Sequence, residues 1–380
     1  MRVLVIDKTA GLDASHERHQ AMAGEDGVEL HVLGPRHWVE NGRDIIWRPP
    51  IDARYQAHRG RVVGKGHYAR VWYINGMASA MRQSKPDIIQ LLEEPWSLTA
   101  LQTMLYAPLF APHAKILFYT WENIYRPWTY PARASCLYAM IDKAMHSRSC
   151  AAVCATEGAR QVLDQKGYAK PFAVVPYGIP HYFFDDQPEP SPRKSFTIGY
   201  VGRMLEMKGV DLLIQAVAQI PDAQLRLVGT GDDFASIQSL CKQLHVADRV
   251  EWIAALTERE VPAFMSELDV LVLPSRSTPG WMEQLGRVLI EAMAIGTPVI
   301  GARSGAIPEV IGDAGLLFNA DDSDDLALQL QCVKANKDLR TECRRRGRLR
   351  AQTQFTWPHF AKQMLHFYRS LSAESKSTNE

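Results

Sequence analysis

Twice along this chain, short apolar runs alternate with stretches of helical period, and a proline-rich segment separates the two series. The first series places strands at 2–7, 28–33, 87–92, 115–120, 150–155 and 172–176. The second is more regular, with strands at 196–201, 224–228, 250–253, 269–273 and 298–300. Strands alternating with helical patterns build parallel sheets with crossover helices, so each series predicts a doubly wound α/β unit. In the second, Val210, Leu213, Ile214 and Val217 fall at i, i+3, i+4 and i+7, and Pro221 stops the helix they mark. Further helices are expected at 234–244, after the capping-box pair Thr257 and Glu260, at 286–294 with Gly296 as C-cap, at 326–337, and at about 359–370. Prolines 188, 190 and 192, set among charged residues, rule out helix or strand at 185–194. The resulting division is a first domain at 1–184, a linker at 185–194, a second domain at 195–355, a C-terminal helix at 356–371 crossing back to the first domain, and a disordered tail at 372–380. Open α/β sheets bind ligands beyond the carboxyl ends of their strands, and two such edges can face each other across a cleft.

Composition removes several function classes. The 380 residues carry 43 basic and 42 acidic side chains, a net charge of +1, so nothing global advertises nucleic acid as a partner. No run of 18 apolar residues exists, so no membrane-spanning helix is expected. The opening residues 1–7 read as a buried strand rather than a leader. The six cysteines form no CxxC pair and have no histidines at ligand spacing, which argues against zinc and for free thiols in a reducing cytoplasm. One local asymmetry stands out: between Asp52 and Asp87 lie Arg54, Arg59, Arg61, Lys65, Arg70, Arg82 and Lys85 with no acidic residue. With Trp72 and Tyr73 interleaved, this 54–85 segment fits an anionic lipid surface or a phosphorylated acceptor, and equally a solvated face.

Glu283 and Glu291 stand eight residues apart around the start of the helix expected at 286–294. Gly286 opens that helix, so the backbone N–H groups of Gly286, Arg287 and Val288 form an anion site. Taken alone, the spacing also fits an amphipathic helix with a solvated glutamate at each end. The wider stretch 274–301, E-x7-E followed by A-M-A-x-G-x-P-V-I, resembles the signature of retaining glycosyltransferase family 4. Residues 305–312 and 314–318 resemble the family in order and spacing, and the likeness runs from Ile198 to Phe318 while the N-terminal half matches loosely. The resemblance implies the GT-B fold, two facing Rossmann-like domains with a deep interdomain cleft. It also implies transfer of a hexose-type sugar from a UDP- or GDP-sugar to a hydroxyl acceptor, with retention, as in bacterial polysaccharide biosynthesis.

Carried over by that resemblance, Glu283 contacts the donor sugar, Glu291 accepts from the ribose, and the amides near Gly286 bind the diphosphate. Arg203 and Lys208, between a strand and a helix, resemble the pair that clamps it. The physics fits, since the leaving diphosphate gains charge as the glycosidic bond breaks. Gly229 and Gly231 resemble the family's loop near the nucleotide, and Gly11 the remnant of its glycine-rich loop near the sugar. Where the family often carries a histidine after the 115–120 strand, this chain has Trp121, Glu122 and Asn123, so Glu122 or Asn123 becomes the candidate to orient the acceptor. Glu93 and Glu94 follow another strand of that series with the same geometry. Asp322 and Asp324 match the metal-binding DxD pattern but precede a helix, where aspartates serve as caps. No metal and no cofactor are therefore expected, and the two cations neutralise the diphosphate. The rival readings are a nucleotide-sugar epimerase or a sugar phosphorylase on the same fold, or a non-catalytic nucleotide-sugar-binding protein. The expected location is the cytoplasm, with peripheral contact at the inner face of the membrane through the 54–85 segment.

Overall fold

The computed structural model describes residues 1–40, 42–125, 135–185 and 195–377. The chain divides into two compact units, Met1–Gly178 with Trp357–Glu380, and Ile179–Thr356.

The first unit is built on a seven-stranded sheet. Its strands are β1 (Arg2–Ile6), β2 (Glu29–Pro35), β3 (Gln56–Gly60), β4 (Ile88–Leu91), β5 (Lys115–Thr120), β6 (Ala151–Cys154) and β7 (Phe172–Val174). They lie in the order β7-β6-β5-β4-β1-β2-β3, every pair parallel. Successive residues of a strand point to opposite faces. Leu4 and Ile6 accordingly join one buried cluster with Ile89, Leu91 and Phe118, while Val3 and Val5 join the other with Val32, Leu117 and Tyr119. The helix Trp357–Ser377 covers that second face, burying Phe360, Met364, Tyr368 and Leu371. Tyr368 Oη donates to Gln90 on β4 at 3.1 Å.

The second unit carries a six-stranded sheet: β8 (Phe196–Val201), β9 (Ala223–Val228), β10 (Val250–Ile253), β11 (Val270–Leu273), β12 (Val299–Ala302) and β13 (Leu316–Phe318). The order is β10-β9-β8-β11-β12-β13, again wholly parallel. The succession of strands therefore switches from one side of the sheet to the other between β8 and β11, the crevice where such sheets take ligands.

Several expectations shift. The second unit begins at Ile179, before the end expected at 184, because Tyr182 and Phe183 are buried in its core and Ile179 N–H donates to Phe355. Of the expected linker 185–194, residues 186–194 lie outside the described residues. Residues 372–377, expected in the tail, continue the C-terminal helix. The Thr257 and Glu260 pair makes half of a capping box, with Glu260 accepting from the Thr257 N–H at 2.7 Å, yet the helix starts only at Val261. β3 has no counterpart in the sequence reading, since Q-A-H-R-G offers no apolar run; it is an edge strand zipped in register onto β2.

Candidate nucleotide site in the second unit

Three loops at the carboxyl edge of the second sheet are pressed backbone to backbone. After β8 the chain turns at Gly202, and Tyr200 Oη donates to the Arg203 carbonyl at 2.7 Å, fixing the loop. The loop after β9 lies against it, with Met204 N–H donating to Thr230 at 2.9 Å. A Cβ on Gly229, whose φ is +127°, would meet the Gly202 carbonyl oxygen at 2.0 Å, and one on Gly231 would meet that of Met204 at 2.1 Å. These two glycines, expected to line the nucleotide, are required by loop-to-loop approach. Gly209, φ +65°, likewise brings its loop to within 2.1 Å (from a Cβ) of the Pro274 carbonyl after β11.

This packing delivers Lys208 to Glu283, although 75 residues separate them. Lys208 Nζ donates to Glu283 Oε2 at 2.7 Å, and Ser275 Oγ donates to the same oxygen at 3.0 Å. The Lys208 ammonium also lies 4.6 Å from the centre of the Trp281 ring. Ser275 and Trp281 were not singled out from sequence, although both lie in the 274–301 stretch that carries the resemblance. Arg203 is exposed, and its guanidinium has no hydrogen-bond or ion-pair partner among the described residues.

The helix Arg287–Ile295 starts from Gly286 at φ +71° and ends at Gly296 at φ +86°, both left-handed positions suited to glycine. No side chain caps its start. The amides of Gly286, Arg287 and Val288 therefore open the helix without a side-chain acceptor, and the dipole there favours an anion. Val288 packs on the core, while Glu291, one turn in, is only 6 % exposed. Burial raises the Glu291 pKa, and Arg287 opposes this. Arg287 Nε donates to Glu291 Oε1 at 2.5 Å. Arg287 was expected to act through its amide; its side chain in addition engages the buried carboxylate.

Asp322 is a helix cap: its Oδ1 accepts from the N–H groups of Asp324 and Asp325 at the start of the helix Ser323–Ala335. Among the described residues no group of acidic, histidine or cysteine side chains is arranged to hold a metal ion.

The first unit holds the other candidates. A Cβ on Gly11 would meet Ile45 at 2.9 Å and Trp47 at 3.2 Å, so this glycine admits close packing of the 43–47 segment. Glu122, beyond the end of β5, pairs with Lys166 at 2.5 Å, and Lys166 also donates to Asp142 at 2.8 Å. Asn123 lies beside Gly158, whose Cβ would be 3.6 Å from its own. Glu94 has both oxygens engaged, by Thr120 Oγ1 and the Trp121 N–H, whereas Glu93 pairs with the buried Lys8 at 2.5 Å. Burial raises both carboxyls, Glu94 to about 7. The buried pairs of Lys8 and Lys166 were invisible in sequence.

Comparison with known proteins supplies the wider frame. Residues 183–350 match the family described as glycosyl transferases group 1. The N-acetyl-alpha-D-glucosaminyl L-malate synthase of Bacillus anthracis is 33% identical over 183 residues, 47% of this chain and 46% of that protein, so the match spans about half of this relative's length. The lipopolysaccharide core biosynthesis glycosyltransferase LpsE of Rhizobium meliloti is 28% identical over 70% of this chain and 71% of its own. Among solved structures, HepE of Anabaena in complex with UDP and glucose superposes with a TM-score of 0.69 at 17% identity, covering 97% of this chain and 100% of that one. Residues 183–350, which include every candidate of the second unit, thus resemble the glycosyl transferases group 1 family, and the fold of the chain is GT-B.

Proposed function

We propose that the chain is a retaining glycosyltransferase that moves a hexose-type sugar from a nucleoside diphosphate sugar to a hydroxyl acceptor, without a metal. The observation that carries this reading is the Lys208–Glu283 pair set beside the uncapped start of the helix Arg287–Ile295, with Glu291 buried one turn further on. That set offers an anion site, a cation, and two carboxylates to accept from hydroxyls. The glycosyltransferase name of LpsE, and the UDP and glucose held by HepE, support it.

In this reading the diphosphate rests on the amides of Gly286, Arg287 and Val288, with Lys208 and Arg203 countering its charge. Glu283 accepts from a hydroxyl of the sugar, and Glu291 from the ribose. As the bond from the anomeric carbon to the diphosphate breaks, the cations and the helix start stabilise the leaving group. The acceptor oxygen bonds to that carbon on the same face, and its proton passes to a diphosphate oxygen. The acceptor is assigned to the first unit, with Glu122 and Asn123 as candidate contacts.

Arg54, Arg59, Arg61, Lys65, Arg70, Arg82 and Lys85 are all exposed, and none forms an ion pair among the described residues. They support peripheral attachment at an anionic membrane face. No helix among the described residues is long and apolar enough to cross a membrane.

The test is calorimetric binding of UDP, GDP and ADP and thermal shift with their sugars. A ligand at 100 Kd stabilises the fold by about 2.7 kcal/mol. Arg203→Ala and Glu291→Ala each remove a charge-assisted bond worth about 1.5–3 kcal/mol, or roughly tenfold or more in Kd. Wild-type affinity in both variants would misplace the site. Radiolabelled nucleotide sugar then separates the rivals, since an epimerase converts it without an acceptor.

A further inference from the structure

The side chain of Arg287 is out of place by the rules of helix stability. It occupies the first position of the helix Arg287–Ile295, where the dipole is positive and a cation is unfavourable. Arginine four residues before glutamate is also the poorer orientation for such a pair. Nevertheless Arg287 Nε lies 2.5 Å from Glu291 Oε1, the guanidinium half exposed and the carboxylate buried. A carboxyl in that setting is driven toward its neutral form, and a neutral carboxyl gives up one acceptor oxygen to its own proton. A ribose offers two adjacent hydroxyls, which need both.

We propose that Arg287 is a positioning residue: it holds Glu291 ionised and aimed, so that the carboxylate receives the ribose diol of a nucleoside diphosphate at neutral pH. The inference rests on the reading of Glu291 as the ribose carboxylate. The charged surroundings make Arg287 the decisive partner. Glu258, from the segment after β10, faces Glu291 and repels its charge. The turn His181–Phe183 brings His181 and Tyr182; Tyr182 faces Arg287 and Glu291 and carries Arg259 4.2 Å from its ring centre. The helix Val261–Ser266 and the strands β11 and β12 bring no titratable side chain. Glu309 lies on the neighbouring helix Ile307–Ile311, and Arg348 of the helix Lys337–Gln354 binds the Ile295 carbonyl at the opposite end. Arg287 is thus the cation hydrogen-bonded to this carboxylate among the described residues.

Binding that needs the ionised carboxylate is present above its pKa and lost as pH falls through it. Removing Arg287 raises that pKa, so loss sets in at higher pH. The experiment is titration calorimetry with UDP and GDP from pH 6.0 to 8.5, on wild type, Arg287→Met, Arg287→Lys, Glu291→Gln and the double variant Arg287→Met/Glu291→Gln. Thermal melts check folding. Comparing variant with wild type at each pH cancels the titration of the phosphates. Each unit of pKa rise costs about tenfold below the pKa. Arg287→Met should therefore bind several-fold more weakly than wild type at pH 6.0, with the gap closing as pH rises to 8.5. Arg287→Lys should recover most of the loss, and the double variant should match Glu291→Gln. An equal loss at every pH, or a further loss in the double variant, would overturn the proposal and make Arg287 a direct phosphate contact. If Glu291→Gln binds like wild type, or wild type binds neither nucleotide, the ribose reading itself fails and the proposal falls with it.

Discussion

Gly229→Ala tests whether the glycines of the second unit serve the fold or the ligand. The new Cβ would sit 2.0 Å from the Gly202 carbonyl oxygen, where carbon and oxygen ordinarily approach to about 3.3 Å. The loops cannot part freely. Gly202 N–H donates to Val228 at 3.0 Å, Met204 N–H to Thr230 at 2.9 Å, and Gly229 N–H to Ile253 at 2.9 Å. Losing one or two of these costs about 1 kcal/mol each. Holding a non-glycine residue at φ +127° adds about 1–3 kcal/mol. The sum is about 2–5 kcal/mol, or a fall in Tm of roughly 4–20 °C for a unit of this size. Thermal melts followed by circular dichroism should show it, with Gly280→Ala, which meets nothing within 4 Å, as the control expected to stay within about 0.5 kcal/mol of wild type. A Gly229→Ala protein that melts like wild type but has lost nucleotide binding would refute the packing argument and return the glycine to the ligand.

Other outcomes follow from the same geometry. Lys166→Met removes the ammonium that bridges Glu122 and Asp142, both largely buried, leaves Asp142 facing His146 at 3.3 Å, and should destabilise the first unit by about 3 kcal/mol; a loss under 1 kcal/mol in urea titration would show that water screens them. Nucleoside diphosphate affinity measured by calorimetry should survive EDTA, because Asp322 is committed to capping; loss restored by Mg²⁺ or Mn²⁺ would reverse this. The protein should sediment with vesicles containing phosphatidylserine at low salt and release as ionic strength rises. Undiminished binding after Arg54, Arg59 and Arg61 are changed to Gln would remove the 54–85 segment from the contact.

What the sequence disclosed depended on how far apart the interacting residues stand. The central strands were legible because they are buried on both faces, as Ile88–Leu91 is along its whole length, whereas the exposed edge strand Gln56–Gly60 was not. The start and stop of the helix Arg287–Ile295 were legible because glycine at a left-handed position is a local requirement. Partners were not. The same motif letters that mark Lys208 and Glu283 leave their 2.7 Å contact unsaid, because it depends on Gly209 letting one loop lie on the Pro274 carbonyl. Glu122 was readable as a carboxylate beyond a strand, but its electrostatics belong to Lys166, delivered by the end of another helix. Arg287 and Glu291 show the limit from the other side. Their four-residue spacing is plain in the sequence, and on an exposed helix it would mean a few tenths of a kcal/mol. What changes its meaning is the burial of one partner only: the carboxylate is walled in by the core while the guanidinium remains open to water. A spacing rule describes two side chains in the same solvent. Chemistry enters here because these two are not, and that asymmetry is set by the packing of the helix against β11 and β12, which no local pattern encodes.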